Sequence, residues 1–226
     1  MAKTYSIAID GPAGAGKSTI AKRLAKELNF QYVDTGAIYR TVAYFLDLLG
    51  VSPKDHDGVC RYIDELTIEI QYDADGLQHM IMNGMDVTGE IRTQDISQKA
   101  SLVSAHPEVR EMLLDMQRDV AKAYNVIMDG RDIGTVVLPK ADVKIFLTAS
   151  PEVRAKRRTD ELLAKGQSAN FETILKEIQQ RDYQDTHRPI APLKMAKDSI
   201  KVDTSGMDIE TVVNTIRNIV AEKVPV

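Results

Sequence analysis

Residues Gly11, Pro12, Ala13, Gly14, Ala15, Gly16, Lys17 and Ser18 fill the pattern Gly-x-x-x-x-Gly-Lys-Ser/Thr without a gap. The flanks restrict what such a chain can become. An apolar run from Tyr5 to Asp10 precedes the loop, and Ile20, Leu24 and Leu28 follow it at helical spacing. The sequence thus predicts a strand, a glycine loop and a helix, in that order. Loop N–H groups and the positive end of the helix form a cradle for a nucleotide polyphosphate. Lys17 is expected to reach the outer phosphates, Ser18 to offer its hydroxyl to magnesium, and Thr19 to close the cradle. A dinucleotide loop of the Gly-x-Gly-x-x-Gly type is excluded, because Thr19 stands where its third glycine belongs.

Further strand signals lie at Phe30–Asp34, Val126–Asp129, Val143–Thr148 and Ser199–Asp203, separated by helical stretches. With residues 5–10 they make five short strands, the pattern of an α/β fold with a parallel sheet flanked by helices. Between the second and third lies far more chain than one crossover needs. Part of that excess, Thr67–Tyr72 and Leu77–Met82 around the turn Asp73–Gly76, predicts a small antiparallel insert, and Asn83-Gly84 adds another turn.

At 226 residues and 27% charged, the chain suits one soluble globular unit. A net charge of −4 argues against a nucleic-acid or anionic-membrane partner. The single cysteine, Cys60, excludes an intramolecular disulfide and a zinc knuckle, and is expected as a half-buried small hydrophobe. With little chain before the first strand and no apolar run of spanning length, a cytoplasmic setting is expected.

Asp129 closes the apolar strand Val126–Met128 and is the expected second magnesium contact, directly or through water, the alternative being a strand-end turn cap. Arg131 and Asp132 follow it. The guanidinium suits bidentate phosphate binding, and the carboxylate either pairs with Arg131 or accepts an exocyclic amine of a base. Asp34 to Arg40 offers a comparable set, with Arg40 either a ligand or a solvated cation. Farther on, Ile174 and Ile178 begin an apolar stripe that continues into Arg181 and Asp185. Pro189 biases Arg188 out of helix, so that it projects from the helix end. Arg110 sits in the first turn of a helix after Pro107, where a cation opposes the helix dipole unless exposure excuses it. Ser150 and Pro151 start another helix, on which Arg154, Arg157 and Arg158 share a face: a solvated basic face, or an arginine lid over phosphates. The four histidines are scattered, and no general base is evident. Phosphoryl transfer to an ionised phosphate needs none.

These residues resemble the nucleoside monophosphate kinases, and among them the bacterial-type cytidylate kinases. The resemblance runs nearly end to end. It is carried by Asp34-Thr35-Gly36-Ala37-Ile38-Tyr39-Arg40, Gly89–Thr93, Asp129–Val137 and Arg188-Pro189-Ile190-Ala191-Pro192-Leu193. It implies a P-loop kinase core at 1–35, 99–153 and 169–226, an NMP-binding domain with the antiparallel insert at 36–98, and a lid at 154–168. It also implies γ-phosphoryl transfer from MgATP to CMP or dCMP by a monomer. The ATP side would comprise residues 11–19 with Arg154, Arg157 and Arg158. On the acceptor side, Thr35, Arg40, Arg131 and Arg188 would hold phosphate, and Tyr39 would belong to the CMP site. Ser101, Arg110 and Asp132 would read cytosine, and Arg181 and Asp185 would hold the pentose. Lys17, Arg131, Arg158 and Arg188 would be the catalytic cations. Where the family often has serine, this chain has Thr35, which keeps the hydroxyl. A UMP/CMP kinase is the near alternative. A P-loop GTPase switch is the distant one, disfavoured because Pro139-Lys140-Ala141-Asp142 only imitates its guanine-reading motif.

Overall fold

The computed structural model describes residues 3–225. Five parallel strands form the central sheet: β1 (Ser6–Asp10), β2 (Gln31–Asp34), β6 (Val126–Gly130), β7 (Val143–Thr148) and β8 (Ile200–Asp203), in the order β2-β6-β1-β7-β8. All five expected strands are present. Apolar runs suit the inner strands because helices cover both faces of the sheet there, whereas the edge strand β8 alternates and exposes Lys201 and Asp203.

The strand residues divide between two core layers. Ile7, Ile9 and Ile127 pack with α1 (Lys17–Leu28) and α8 (Ile209–Ala221). Ala8, Val126 and Met128 face the opposite layer, built on α2 (Thr35–Leu48), α3 (His56–Ile63), α4 (Gln94–Val103) and α5 (Pro107–Ala123). Two further helices, α6 (Pro151–Ala164) and α7 (Phe171–His187), pack together through Ala155, Ile174 and Ile178. As expected, Ser150 caps α6, its side chain accepting from the Val153 N–H, and Pro151 takes the first turn.

The insert is a three-stranded antiparallel sheet, β3 (Ile68–Tyr72), β4 (Gln78–Met82) and β5 (Met85–Asp86). The short third strand was not anticipated. Asn83 and Gly84, at φ 48° and 82°, form the tight primed turn that brings it back onto β4.

Register positions the site. Asp10 of β1 pairs with Gly130 of β6, and Ile9 with Asp129, so the phosphate loop leaves the sheet beside the Asp129–Asp132 segment. On the other side Asp10 pairs with Phe146 of β7. Gly11 must be glycine here. At φ 151°, a Cβ would lie 1.9 Å from the Leu147 carbonyl oxygen.

Candidate active site

At the carboxyl edge of the central strands lies a cleft of about 240 Å³. Open α/β sheets bind ligands at this edge. From the phosphate loop come Ala13, Gly14, Lys17 and Ser18, and from β6 comes Asp129. The same wall carries Thr35, Tyr39, Arg40, Ser101, Arg110, Arg131, Asp132, Arg181, Asp185 and Arg188. The chain thus gathers every residue expected on the acceptor side around the loop's lysine, from positions spread over more than 150 residues.

The donor end is built by backbone. Gly16 caps α1 in a left-handed conformation (φ 90°) with no side-chain cap, leaving the first helical N–H groups for an anion. Lys17 Nζ donates to the Pro12 carbonyl at 2.8 Å. Burial, and then the Arg131 charge, hold the Lys17 ammonium well below the ordinary lysine range. A polyphosphate placed against it would restore the charge. Ser18 Oγ donates to Asp129 Oδ2 at 2.7 Å, and Tyr32 OH donates to Asp129 Oδ1 at 3.2 Å. Burial raises the Asp129 carboxyl, with the Asp34 charge adding to it and Lys17 opposing. A hydroxyl and a buried carboxylate in contact are hard oxygen donors of the kind magnesium takes, and the turn-cap reading of Asp129 has no support here.

Four ion pairs order the wall opposite the loop. Asp132 accepts from Arg110 through Oδ2 and from Arg188 Nη2 through Oδ1, at 3.3 Å in the second case. Arg131 Nε donates to Asp185 Oδ2 at 2.9 Å. Arg40 Nη2 donates to Asp34 Oδ2 at 2.9 Å, while Asp34 Oδ1 caps α2 by accepting from the Ala37 N–H. The local pairing of Arg131 with Asp132 allowed by the sequence does not occur. Nor is Arg110 exposed. At 9% accessibility it donates to the Ser104 carbonyl at 3.1 Å and lies 5.6 Å over the Tyr39 ring. Its partner Asp132 offsets the unfavourable dipole position.

Asp185 is buried on the continuation of the α7 stripe, as expected. Although burial pushes the other way, the Arg131 guanidinium holds its carboxyl below the usual carboxylate range. Ser101 Oγ donates to Asp185 Oδ1 at 3.4 Å. Burial, with Arg131 adding to it, pushes Arg181 down to about 10. Nε of Arg181 and Nε of Arg40 are buried without a hydrogen-bond partner. Orphaned guanidinium donors on a cavity wall are costly, and ligand oxygens set against them remove the cost. Arg188 leaves the end of α7 in an extended conformation, as Pro189 dictates, and donates to the Ala191 carbonyl (Nε, 2.8 Å) and to Ser104 Oγ (Nη1, 3.1 Å).

The arginines of α6 part company. Arg154 is buried (2% accessible), donating to the Ala13 and Ala149 carbonyls at 3.0 and 2.9 Å and pairing with Asp182 of α7. It is the far wall of the phosphate loop, facing the Gly14 Cα. Arg157 donates to Thr204 Oγ1 at 3.0 Å and to the Thr204 carbonyl at 2.7 Å. Arg158 pairs with Glu161 on the outer surface and does not line the cleft. Helix α6 runs unbroken from Pro151 to Ala164, so no break in helix marks the expected lid boundary at 154.

Three supporting residues escaped the sequence reading. Asp10 accepts from the Ile133 and Gly134 N–H groups at 2.8 and 2.7 Å, clamping the segment that carries Arg131 and Asp132. Gln78 of β4 accepts from the Asp34 N–H at 2.7 Å and donates to the Asp34 carbonyl at 3.3 Å, joining the insert to the start of α2. Ser104 continues the run Ser97, Ala100, Ser101, whose small side chains at helical spacing were the available signal that α4 faces a cavity. Asp142, in the motif that imitates a guanine reader, instead accepts from the Ser6 N–H at 2.9 Å and pairs with Lys3.

The family model described as cytidylate kinase matches residues 7–222. The chain belongs to the cytidylate kinase family. It is 50% identical over 217 residues to the cytidylate kinase of Carboxydothermus hydrogenoformans, covering 96% of this chain and 97% of that one. It is 49% identical over 223 residues to that of Ligilactobacillus salivarius, covering 99% of each. A crystal structure of an uncharacterised protein from Eubacterium ventriosum shares the fold, with a TM-score of 0.52 at 14% identity over 96% of this chain and 99% of that one.

Proposed function

We propose that this chain transfers the γ-phosphoryl group of MgATP to CMP or dCMP, giving ADP and CDP or dCDP. The observation that carries this reading is one cleft with two anion subsites: Lys17 with the uncapped start of α1, and the orphaned Arg40 beside Arg131. A nucleotide switch has no use for the second subsite. Family membership supports the assignment of the acceptor as a cytidine monophosphate.

Residues of the loop, 11–19, hold the ATP phosphates, with Lys17 against the outer ones. Ser18 and Asp129 hold magnesium, which supplies charge neutralisation on the transferring group when bound. Thr35, Arg40, Arg131 and Arg188 hold the acceptor phosphate. Thr35 Oγ1 donates to the Asp129 carbonyl at 2.7 Å, which orients its hydroxyl beside the magnesium subsite despite the added methyl. An oxygen of the already ionised acceptor phosphate attacks the γ-phosphorus as the bond to the β,γ-bridging oxygen breaks and ADP departs. No side chain has to remove a proton, and the arginines and Lys17 hold two polyanions in line.

Asp132 supplies the acceptor that a cytosine amino group needs, and Arg110 the donor for the ring edge. Each Asp132 oxygen already takes one guanidinium and keeps a further lone pair. Uracil would set a carbonyl against that carboxylate, leaving both unpaired. Tyr39, with Arg110 stacked on its ring, walls this subsite. Arg181 and Asp185 take the pentose, with Ser101 supporting Asp185. Arg158 joins the phosphates only by exchanging Glu161 for them, as lid closure would require. Thr204, tied to Arg157, is the candidate contact for adenine. A cytoplasmic monomer completes the reading. Among the described residues no helix is long and apolar enough to cross a membrane.

The test is ADP release from MgATP in the presence of CMP, dCMP, UMP, AMP or GMP in turn. Turnover with CMP and dCMP well above the other three is expected. Turnover that ignores the monophosphate, or prefers GMP, would overturn the assignment.

A further inference from the structure

Away from the cleft, α3 and the start of α5 bring together side chains that the sequence leaves scattered. His56 and Cys60 lie one turn apart on α3. His106 and Glu108 flank the first residue of α5. One ligand atom each from His56, His106 and Glu108 lies within 4.8 Å of the others. His56 Nε2 is 3.3 Å from Glu108 Oε1 and 3.7 Å from Cys60 Sγ. Metal bonds of about 2.0 Å to nitrogen or oxygen and 2.3 Å to sulfur, set tetrahedrally, separate ligand atoms by about 3.3–3.6 Å. The His56–Glu108 spacing falls in this range and the His56–Cys60 spacing just above it, while His106 stands within 4.8 Å of His56 and Glu108, from where a small ring rotation brings it into the shell.

The surroundings fit as well. His106 Nε2 lies 2.9 Å from the Pro53 carbonyl, to which it can only donate, leaving Nδ1 as its lone-pair nitrogen. His56 Nδ1 lies 3.4 Å from Asp57 Oδ1, which leaves Nε2 to face Glu108 and Cys60. A ring held by a carbonyl or carboxylate behind it is the usual condition of a metal-bound imidazole. Glu108 Oε2 is buried without a hydrogen-bond partner. A cation satisfies such an oxygen where no donor does.

We propose that His56, Cys60, His106 and Glu108 form a binding site for one zinc ion, joining α3 to the first turn of α5. Thiolate, two imidazoles and a carboxylate are a donor set that favours zinc over magnesium or calcium. The ion braces the helical turn from which Arg110 reaches Asp132, two residues beyond Glu108. This is no zinc knuckle: the ligands come from two helices, and only one of them is cysteine. His79, the other histidine between carboxylates, has both ring nitrogens engaged, by Asp86 at 2.7 Å and Asp73 at 3.4 Å, and serves as the control.

The full chain, stripped with chelator and free of nucleotide, is titrated with Co²⁺ and then with Zn²⁺. One equivalent of cobalt should bind with a thiolate-to-cobalt charge-transfer band, and zinc should displace it. Cys60→Ser should lose the band, His56→Ala should weaken binding by at least about tenfold, and His79→Ala should change neither. Zinc should raise the melting temperature of the wild type and leave that of His56→Ala where it was. Since Cys60 is the chain's one cysteine, the wild-type spectrum decides even if a variant fails to fold. Absence of the band in the wild type, or equal cobalt binding by wild type and His56→Ala, overturns the proposal.

Discussion

Asp132 and Lys17 carry opposite burdens within one cleft. Asp132 holds two buried guanidinium groups in place while keeping acceptor capacity for a base. Asp132→Asn keeps the shape and loses the charge, so the variant weakens CMP far more than ATP. A hydrogen bond to a charged group contributes about 1.5–3 kcal/mol, so the KM for CMP should rise by roughly 10- to 150-fold, with that for ATP little changed. Steady-state kinetics with each substrate varied in turn checks this, and equal losses would place Asp132 outside the base subsite. Lys17 is the residue proposed to act on the transferring group. Lys17→Ala should lower kcat by about 10²- to 10³-fold while calorimetry finds CMP binding nearly intact. Both residues stand out in the sequence by motif, yet the partner of Asp132 does not. Arg110 lies 22 residues away and Arg188 56, and residue type does not tell which of several arginines a carboxylate will meet.

Among the elements, the segment after β6 shows how a loop is made rigid. Its residues 131 and 132 line the cleft, and Asp10, at the end of the neighbouring strand, holds the π-helical turn Ile133–Val137 through two N–H groups. Burial pushes the Asp10 carboxyl up to about 6, from an ordinary 3.8, with those two N–H groups opposing. The folded state therefore binds this proton more tightly than the unfolded chain. The stability it confers is present at low pH and is lost as pH rises from about 4 through 6. Between pH 5 and 7.5 that loss amounts to about 1.5 kcal/mol. Urea unfolding at the two pH values should show this component in the wild type and lack it in Asp10→Asn. An unchanged pH slope in the variant would mean that another group titrates. Nothing in the strand Tyr5–Asp10 distinguishes Asp10 from a loop residue; only the parallel register with β6 gives its carboxylate a task.

At the scale of the molecule, the insert connects to the core through few polar contacts, of which Gln78 is the most direct. Its side chain satisfies both the N–H and the carbonyl of Asp34, at the point where α2 begins and Thr35 and Arg40 take their positions. Gln78→Ala leaves a half-buried backbone N–H without a partner, a cost of about 1–3 kcal/mol. The expected signature is a higher KM for CMP with an unchanged KM for ATP, together with a lower melting temperature. A change in ATP affinity of the same size would show that the contact serves the fold generally.

The sequence by itself determined the donor half: the phosphate loop, the strand before it, the helix after it and the acid closing β6. These are local, because each depends on glycine dihedrals, apolar periodicity or a motif within a few residues. It also determined the count of parallel strands, the insert and, through family resemblance, the list of residues that meet on the cleft wall. The tertiary structure alone decided the strand order, the ion pairs Arg110–Asp132–Arg188 and Arg131–Asp185, and the separation of Arg154, Arg157 and Arg158. It also decided the meeting of His56, Cys60, His106 and Glu108. The physical reason is that pairing between distant charges or metal ligands is set by which helix faces meet after packing. Spacing along the chain carries no record of that.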